Sequence, residues 1–343
     1  MVNYKKISRV YVIIVGSILI VLFSYIKTVS AQKKEPFQNG SDETACSYVG
    51  SRGIMKSCDI HSADPVSSTT TLTGYDFSKI VGGSTVYITG SAVPAFIRQF
   101  KSIPHRIVLV SGDCDETISE DILSSHEFLE FIEQDKIIHW FSQNCTIHHP
   151  KISQIPIGLD YHTLAKKDSS WGPKATPVEQ EASLKAIQKR SVPFYKRKAQ
   201  CYSNFHLNNN GKFGSERHLA IKEIPENVVF YEPKKLSRDE SWRVQSEYAF
   251  VISPPGNGLD CHRTWEALCL GCIPIVKSSF LNPLYRDLPV LIVNSWSDIT
   301  STKLEAVIDE FRNKSFNFDK LQLSYWMNMI NDTRNNALLS DPL

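Results

Sequence analysis

Positive charge is nowhere concentrated in this chain. Its 38 lysines and arginines are nearly balanced by 36 acidic residues, for a net charge of +2. Without a long basic block, nucleic acid is not an expected partner. Two small clusters, Lys189-Arg190 and Lys196-Arg197-Lys198, read as solvated linker. Short-period repeats and low-complexity tracts are missing, which sets aside solenoid architectures. Only one close cysteine pair occurs, Cys269 and Cys272, and no second pair matches it, so a zinc site is not expected. What is present is ordinary for globular protein: 42% hydrophobic and 22% charged residues. A length of 343 residues leaves room for two domains.

Long apolar runs are also scarce, with one exception. Lys5, Lys6 and Arg9 precede an uncharged, mostly apolar run from Val10 to Ile26, which Lys27 closes. Its length sits at the lower edge of a membrane span. A signal anchor is expected, because the run is long for a signal-peptide core; cleavage after Val29-Ser30-Ala31 is the alternative. The anchor predicts a single-pass type II membrane protein with its body in the Golgi or ER lumen. The alternative predicts a secreted one. Asn39-Gly-Ser, Asn144-Cys-Thr, Asn313-Lys-Ser and Asn331-Asp-Thr are glycosylation acceptor patterns consistent with either. Eight cysteines would allow disulfides there, with Cys114–Cys145 and Cys46–Cys58 as the expected pairs.

Residues 1–9 then form a cytosolic tail, 10–26 the membrane segment and 27–75 a polar stem with little periodicity. From residue 76 the pattern alternates. Strands are expected at 85–89, 106–110, 137–141 and 152–157, with helices at 93–101, 121–134 and 176–190. The second half repeats this, with strands at 199–205, 228–231, 248–252, 273–276 and 288–293. Helices are expected at 215–224, 238–247, 302–312 and 318–330. Alternation of this kind implies mostly parallel sheets covered on both faces, hence an α/β fold of two Rossmann-like domains facing a cleft.

The most informative stretch is SPPGNGLDCHRTWEALCLGCIPIV, from Ser253 to Val276. It reads as a glycine loop, a helix and a strand. Asp260 is placed to cap the helix and Gly271 to end it. Leu259, Trp265, Leu268 and Cys272 give it an apolar side, while Arg263 and Glu266 share another face. A glycine loop feeding a helix N-terminus suits an anion. Gly256, Asn257 and Gly258 allow close approach, Arg263 offers a forked cation for a diphosphate, and Glu266 suits ribose hydroxyls. His262 is expected to donate to the donor sugar or phosphate. A plain loop with an Arg263–Glu266 ion pair is the competing reading. A dehydrogenase-type fingerprint fits poorly, because position 261 is Cys where a third glycine is expected.

Ser253, Pro254, Gly256, Arg263, Glu266, Ala267 and Gly271-Cys-Ile-Pro resemble the C-terminal signature of the exostosin-like glycosyltransferases, family 47 and its relatives. The Trp-Glu-Ala-Leu and Leu-Gly-Cys-Ile-Pro wording is most similar to the ribitol β-1,4-xylosyltransferase branch. The likeness covers about 25 residues, extended only by Arg217 before an apolar helix. It implies a GT-B fold, with residues 76–190 as acceptor domain and connecting helix and 191–343 as nucleotide-sugar domain. It implies transfer of a sugar, xylose by preference, from a UDP-sugar to a glycan hydroxyl, with no required cofactor.

An inverting transfer needs a base for the acceptor hydroxyl. Candidates at strand ends are Asp113, Asp115 and Glu116 in one loop, and Asp160 and His162 in another. Arg217, Arg263 and the helix N-terminus would take the leaving charge. Asp113-x-Asp115 also suggests a different enzyme, a GT-A transferase holding manganese or magnesium. A protein that binds glycans or nucleotide-sugar without catalysis remains the alternative from another class.

Overall fold

The computed structural model describes residues 42–118, 121–207 and 211–339. The expected membrane segment 10–26 and Asn39 lie outside them. Among the described residues no helix is long and apolar enough to cross a membrane.

Apolar, β-branched runs form two wholly parallel sheets. In the first, β1 (Ser84–Thr89), β2 (Ile107–Gly112), β3 (Ile137–Ser142) and β4 (Ile152–Gln154) lie side by side in chain order. Every residue of β1 and β2 is buried, as parallel strands covered on both faces require. A short helix, α1 (Ser51–Lys56), precedes β1; α2 (Val93–Phe100) links β1 to β2, and α3 (Ser125–Ile132) links β2 to β3. Helix α3 starts at Ser125 rather than Asp121 because Ser124 and Glu127 form a capping box.

After α4 (His162–Lys166) and α5 (Pro177–Arg190) the chain enters the second sheet. It contains β5 (Lys198–Ser203), α6 (Gly214–Glu223), β6 (Val229–Tyr231), α7 (Arg238–Gln245), β7 (Tyr248–Ile252), α8 (His262–Cys269), β8 (Ile273–Lys277) and β9 (Leu291–Val293). Helices α9 (Ser301–Arg312) and α10 (Leu323–Leu339) follow. Strand order is β6-β5-β7-β8-β9. The chain leaves β5 for one edge, then crosses back to lay β7 on the other side of β5. Order therefore reverses between β5 and β7. The crevice outside their C-terminal ends is where open α/β sheets bind ligands.

Residues 42–75 are not a stem. Val49 N donates to Leu321 O at 2.9 Å, Leu323 N to Ser47 O at 2.8 Å and Ile60 N to Thr85 O at 3.0 Å. Val49, Ile54 and Met55 join Leu184, Trp265, Trp326 and Ile330 in a single apolar cluster that runs through both halves. The segment looked structureless because it buries isolated residues through single bridges, not one face of a long element. Helix α10 runs past the expected end at Ile330 and packs on α1, β2 and β3, so the chain returns to the first sheet.

The expected disulfides are not formed, and all eight cysteines are free. Cys46 and Cys58 belong to the shared core, and Cys145 lies in the core of the first sheet. The Asn144 sequon is corrected too. Asn144 is 1% exposed, and its amide bonds Cys114 O at 3.1 Å, so no glycan fits there.

Candidate functional site

A cleft of about 790 Å³ opens at the strand-order reversal. Its walls come from the loops after β5, β6 and β7, from residues of α6, α7 and α8, and from Asp115, Ile157 and Trp171 of the first half. That size suits a ligand of nucleotide-sugar dimensions.

The loop after β7 is braced before it can bind anything. Asp260 does not cap α8; Cys261 holds the N-cap position and no side chain caps the helix. Asp260 instead sits at a junction between the halves. Its carboxylate accepts from Ile157 N at 2.9 Å, Trp265 Nε1 at 2.9 Å, Tyr285 Oη at 3.2 Å and Cys261 N at 2.9 Å. Its own N–H donates to Asn144 Oδ1 at 2.8 Å. Burial raises its carboxyl pKa, and these donors work against that. Gly258 serves the same junction: a Cβ there would stand 2.9 Å from Asp115 O. Its lack of a side chain lets the two halves touch. Ser253 is buried, bonded to Thr264 Oγ1 at 2.8 Å, and ties the loop to α8 from outside the cleft.

The cations of this loop are held differently. Arg263 Nη1 donates to Pro254 O at 3.3 Å, and its guanidinium lies 5.6 Å from the centre of the Phe205 ring. Arg217, on α6, donates to Pro255 O at 3.1 Å and to His206 O at 2.6 Å. Both line the cleft, with Gly256 and Asn257 between them in the wall. Among the described residues neither forms an ion pair with a carboxylate. Burial and the charge of Arg263 lower the pKa of Arg217. Burial, Lys235, Arg217 and Arg263 lower that of His206. Positive charge therefore gathers beside the uncapped start of α8 without internal neutralisation.

Glu266 and His262 share the cleft with Arg263. Glu266 Oε1 lies 3.8 Å from Arg238 Nε, a residue with no marked signal in the sequence. Arg238 is 7% exposed and spans the halves. It donates to Gln180 Oε1 at 2.8 Å, to Asp160 Oδ2 at 3.3 Å and to the Asp160 carbonyl. Its guanidinium stands 4.8 Å from the Trp171 ring centre. In sequence it is only the first residue of a capped helix. Phe205, Tyr231, Trp242, Lys234 and Lys235 also line the cleft and were not singled out. Their signal was position: several immediately follow strands β5 and β6.

The proposed bases separate. Asp113 is buried with a φ of 53°, its carboxylate 3.4 Å from Arg52 Nη2 and 2.9 Å from Ser67 Oγ. It does not line the cleft, so it is not a base there. Asp160 and His162 do not line it either. Burial works against the Asp160 charge, but His262, His162 and Arg238 hold its carboxyl well below the usual range. His162 Nδ1 is 3.2 Å from Asp160 Oδ1; burial lowers its pKa and Asp160 opposes that. Asp115 alone of the first-half candidates reaches the cleft, where burial and Glu116 raise its pKa and an Asn257 hydrogen bond lowers it. With Asp113 committed to Arg52, Asp113 and Asp115 do not make the GT-A metal site. No group of three or more His, Cys, Asp or Glu able to hold a metal occurs among the described residues.

No family model matches the chain, and no curated protein does. Solved structures are similar at low level. A Burkholderia vietnamiensis α,α-trehalose-phosphate synthase (UDP-forming) matches at TM-score 0.40 and 12% identity, covering 78% of this chain and 75% of its own. A trehalose-6-phosphate structure from E. coli bound with UDP-2-fluoro glucose matches at TM-score 0.36 and 11% identity, covering 76% and 71%. The N-terminal domain of a Candida albicans trehalose-6-phosphate phosphatase matches at TM-score 0.33 and 12% identity, covering 77% and 68%.

Proposed function

We propose that the cleft binds a nucleotide-diphosphate sugar and transfers its sugar to an acceptor hydroxyl. The observation that carries this is the pair of unneutralised guanidiniums, Arg217 and Arg263, fixed to the carbonyls of one glycine loop. Two cations next to uncapped helix N–H groups match a diphosphate leaving group. Glu266, held near Arg238, offers acceptor oxygens for ribose hydroxyls on the same face. The finer reading is a UDP-sugar donor, xylose by preference, with a glycan hydroxyl as acceptor and inversion at the anomeric carbon. Its support is the exostosin-like wording from Ser253 to Val276. A type II placement in the Golgi or ER lumen belongs to the same proposal and rests on the apolar run from Val10 to Ile26.

Calorimetric titration with UDP and UDP-sugars tests the site. Arg263→Ala and Glu266→Gln each lose a charge-assisted hydrogen bond worth about 1.5–3 kcal/mol, which weakens UDP binding roughly ten- to a hundred-fold. Both variants should melt near the wild-type temperature. A wild-type protein that binds no nucleotide, or variants that bind as well as wild type, would refute the reading.

A further inference from the structure

We propose that His262, and not a carboxylate, is the base that takes the proton from the acceptor hydroxyl. The inference rests on the transfer reading above and names the group that reading lacks. His262 is the first residue of α8 and lines the cleft with Arg263, Glu266 and Asp115. Its Nδ1 lies 2.7 Å from the carbonyl oxygen of Gly158. A carbonyl can only accept, so Nδ1 carries the proton and the neutral ring has its lone pair at Nε2. Among the described residues Nε2 has no hydrogen-bond partner.

The orienting carbonyl is itself fixed. Gly158 has a φ of 63°, and a Cβ there would fall 2.2 Å from Val49 O. The neighbouring Leu159 N donates to the same Val49 oxygen at 2.8 Å. The ring therefore leans on backbone that is strongly restricted to glycine and pinned to the segment before β1. Asp115 from the loop after β2, Asp160 from the loop before α4 and His162 from α4 each interact electrostatically with His262. Asp160 is buried, and His262, His162 and Arg238 hold its carboxyl well below the usual range. The His162 ring centre is 6.2 Å from that of His262. Of the carboxylates once considered, Asp113 and Asp160 are committed elsewhere. Asp115 lines the cleft with its pKa raised by burial and Glu116 against a hydrogen bond with Asn257, so it is the competing base.

The step balances as a single displacement. The acceptor O–H proton passes to His262 Nε2 while that oxygen bonds the anomeric carbon. The bond from this carbon to the phosphate oxygen breaks, and its electron pair leaves on the nucleotide diphosphate beside Arg217 and Arg263. One displacement inverts the anomeric centre.

His262→Asn keeps an amide N–H toward the Gly158 carbonyl and removes Nε2. The full chain would be assayed with UDP-xylose and UDP-glucose as donors and methyl glycosides or water as acceptors. UDP affinity would be measured alongside. Expected are UDP affinity within about threefold of wild type, a transfer rate lower by roughly 10²–10⁴, and an inverted product. Added imidazole should partly restore His262→Ala, a result that a merely structural histidine would not give. Transfer at the wild-type rate in His262→Asn or His262→Ala overturns the proposal. So does a retained product configuration, or a loss in Asp115→Asn that His262→Asn does not share. A loss in both His262 variants that merely tracks lost UDP affinity or lost folding, without imidazole rescue, also overturns it. Failure of wild type to bind UDP is a separate result, and it removes the donor site together with its base.

Discussion

Two loops meet at the cleft, one from the end of β2 and one from the end of β7, and they use their charges in opposite ways. In the first, Asp113 turns inward. Arg52 and Ser67 hold its carboxylate, while Ser51 Oγ and Gln143 Oε1 accept its N–H at 3.1 and 2.8 Å. Around the second, among the described residues, Arg263 of α8 has only a carbonyl and an aromatic ring, and Arg217 of α6 only carbonyls. Both loops lie at strand ends, where function is expected in open sheets. Location therefore does not separate them. The separation comes from whether each charge finds a partner of opposite sign inside the protein.

The largest expected effect comes from taking away what the first loop leans on. Arg52 and Ser51 belong to α1, within the segment expected to be a stem. A chain starting at Asp76 loses them, and it also loses buried Val49, Ile54, Met55 and Ile60. Each such side chain is worth about 1.5–3 kcal/mol of burial, so together they approach the ~5–15 kcal/mol of a typical fold. That chain should fail to fold by circular dichroism, while one starting at Asp42 should fold. A stable, cooperative fragment from Asp76 would show that the segment is dispensable.

A smaller effect should split the two loops cleanly. Arg52→Ala leaves the buried Asp113 charge without its partner, which costs roughly 3–5 kcal/mol. Arg52→Met with Asp113→Asn should recover much of this. UDP affinity of the folded protein should barely change in either. Arg263→Ala should do the reverse, lowering affinity with little change in denaturant midpoint. If Arg52→Ala weakened UDP binding as much as Arg263→Ala does, the first loop would belong to the donor site after all.

This contrast also explains what could be read from sequence. Strands and crossover helices were legible because parallel strands buried on both faces are plain apolar runs. The unit of β7, loop, α8 and β8 was legible because its strands, glycines and helix are neighbours in the chain. The rest depended on distance. Asp113 looked like a base because Arg52, its partner, is 61 positions earlier. Asp260 looked like a helix cap because Ile157, whose N–H it accepts, is 103 positions away. Arg238 showed nothing because Asp160, Gln180 and Glu266 reach it only after folding. Segment 42–60 was missed because its contacts are single bridges to β1 and to the backbone around Gly158 and Leu321, which leave no period in the sequence.

The finest test of the contrast uses the two glycines of the β7 loop. A methyl group at position 258 would meet Asp115 O at 2.9 Å and Asp115 Cα at 3.2 Å, both main chain. Backbone there is anchored by Asn144 and the first sheet, so it yields only if the halves separate. At position 256 the nearest atoms are Arg217 Nη2 at 3.2 Å and Cys261 Sγ at 3.3 Å. The first is the end of a long side chain, which moves easily. Neither glycine has a positive φ, so neither substitution meets backbone strain. Gly258→Ala should therefore destabilise by about 1–3 kcal/mol, as overpacking does. Gly256→Ala should change stability by less than about 1 kcal/mol, because Ala also reduces the entropy of the unfolded chain. For ligand binding the order should invert. Gly256→Ala displaces the Arg217 guanidinium from the anion site and should weaken UDP binding several-fold. Gly258→Ala leaves Arg217 and Arg263 on their carbonyls. Equal effects of the two substitutions on both melting and UDP titration would mean that the loop acts as one unit, with no division between the residues that brace it and those that bind.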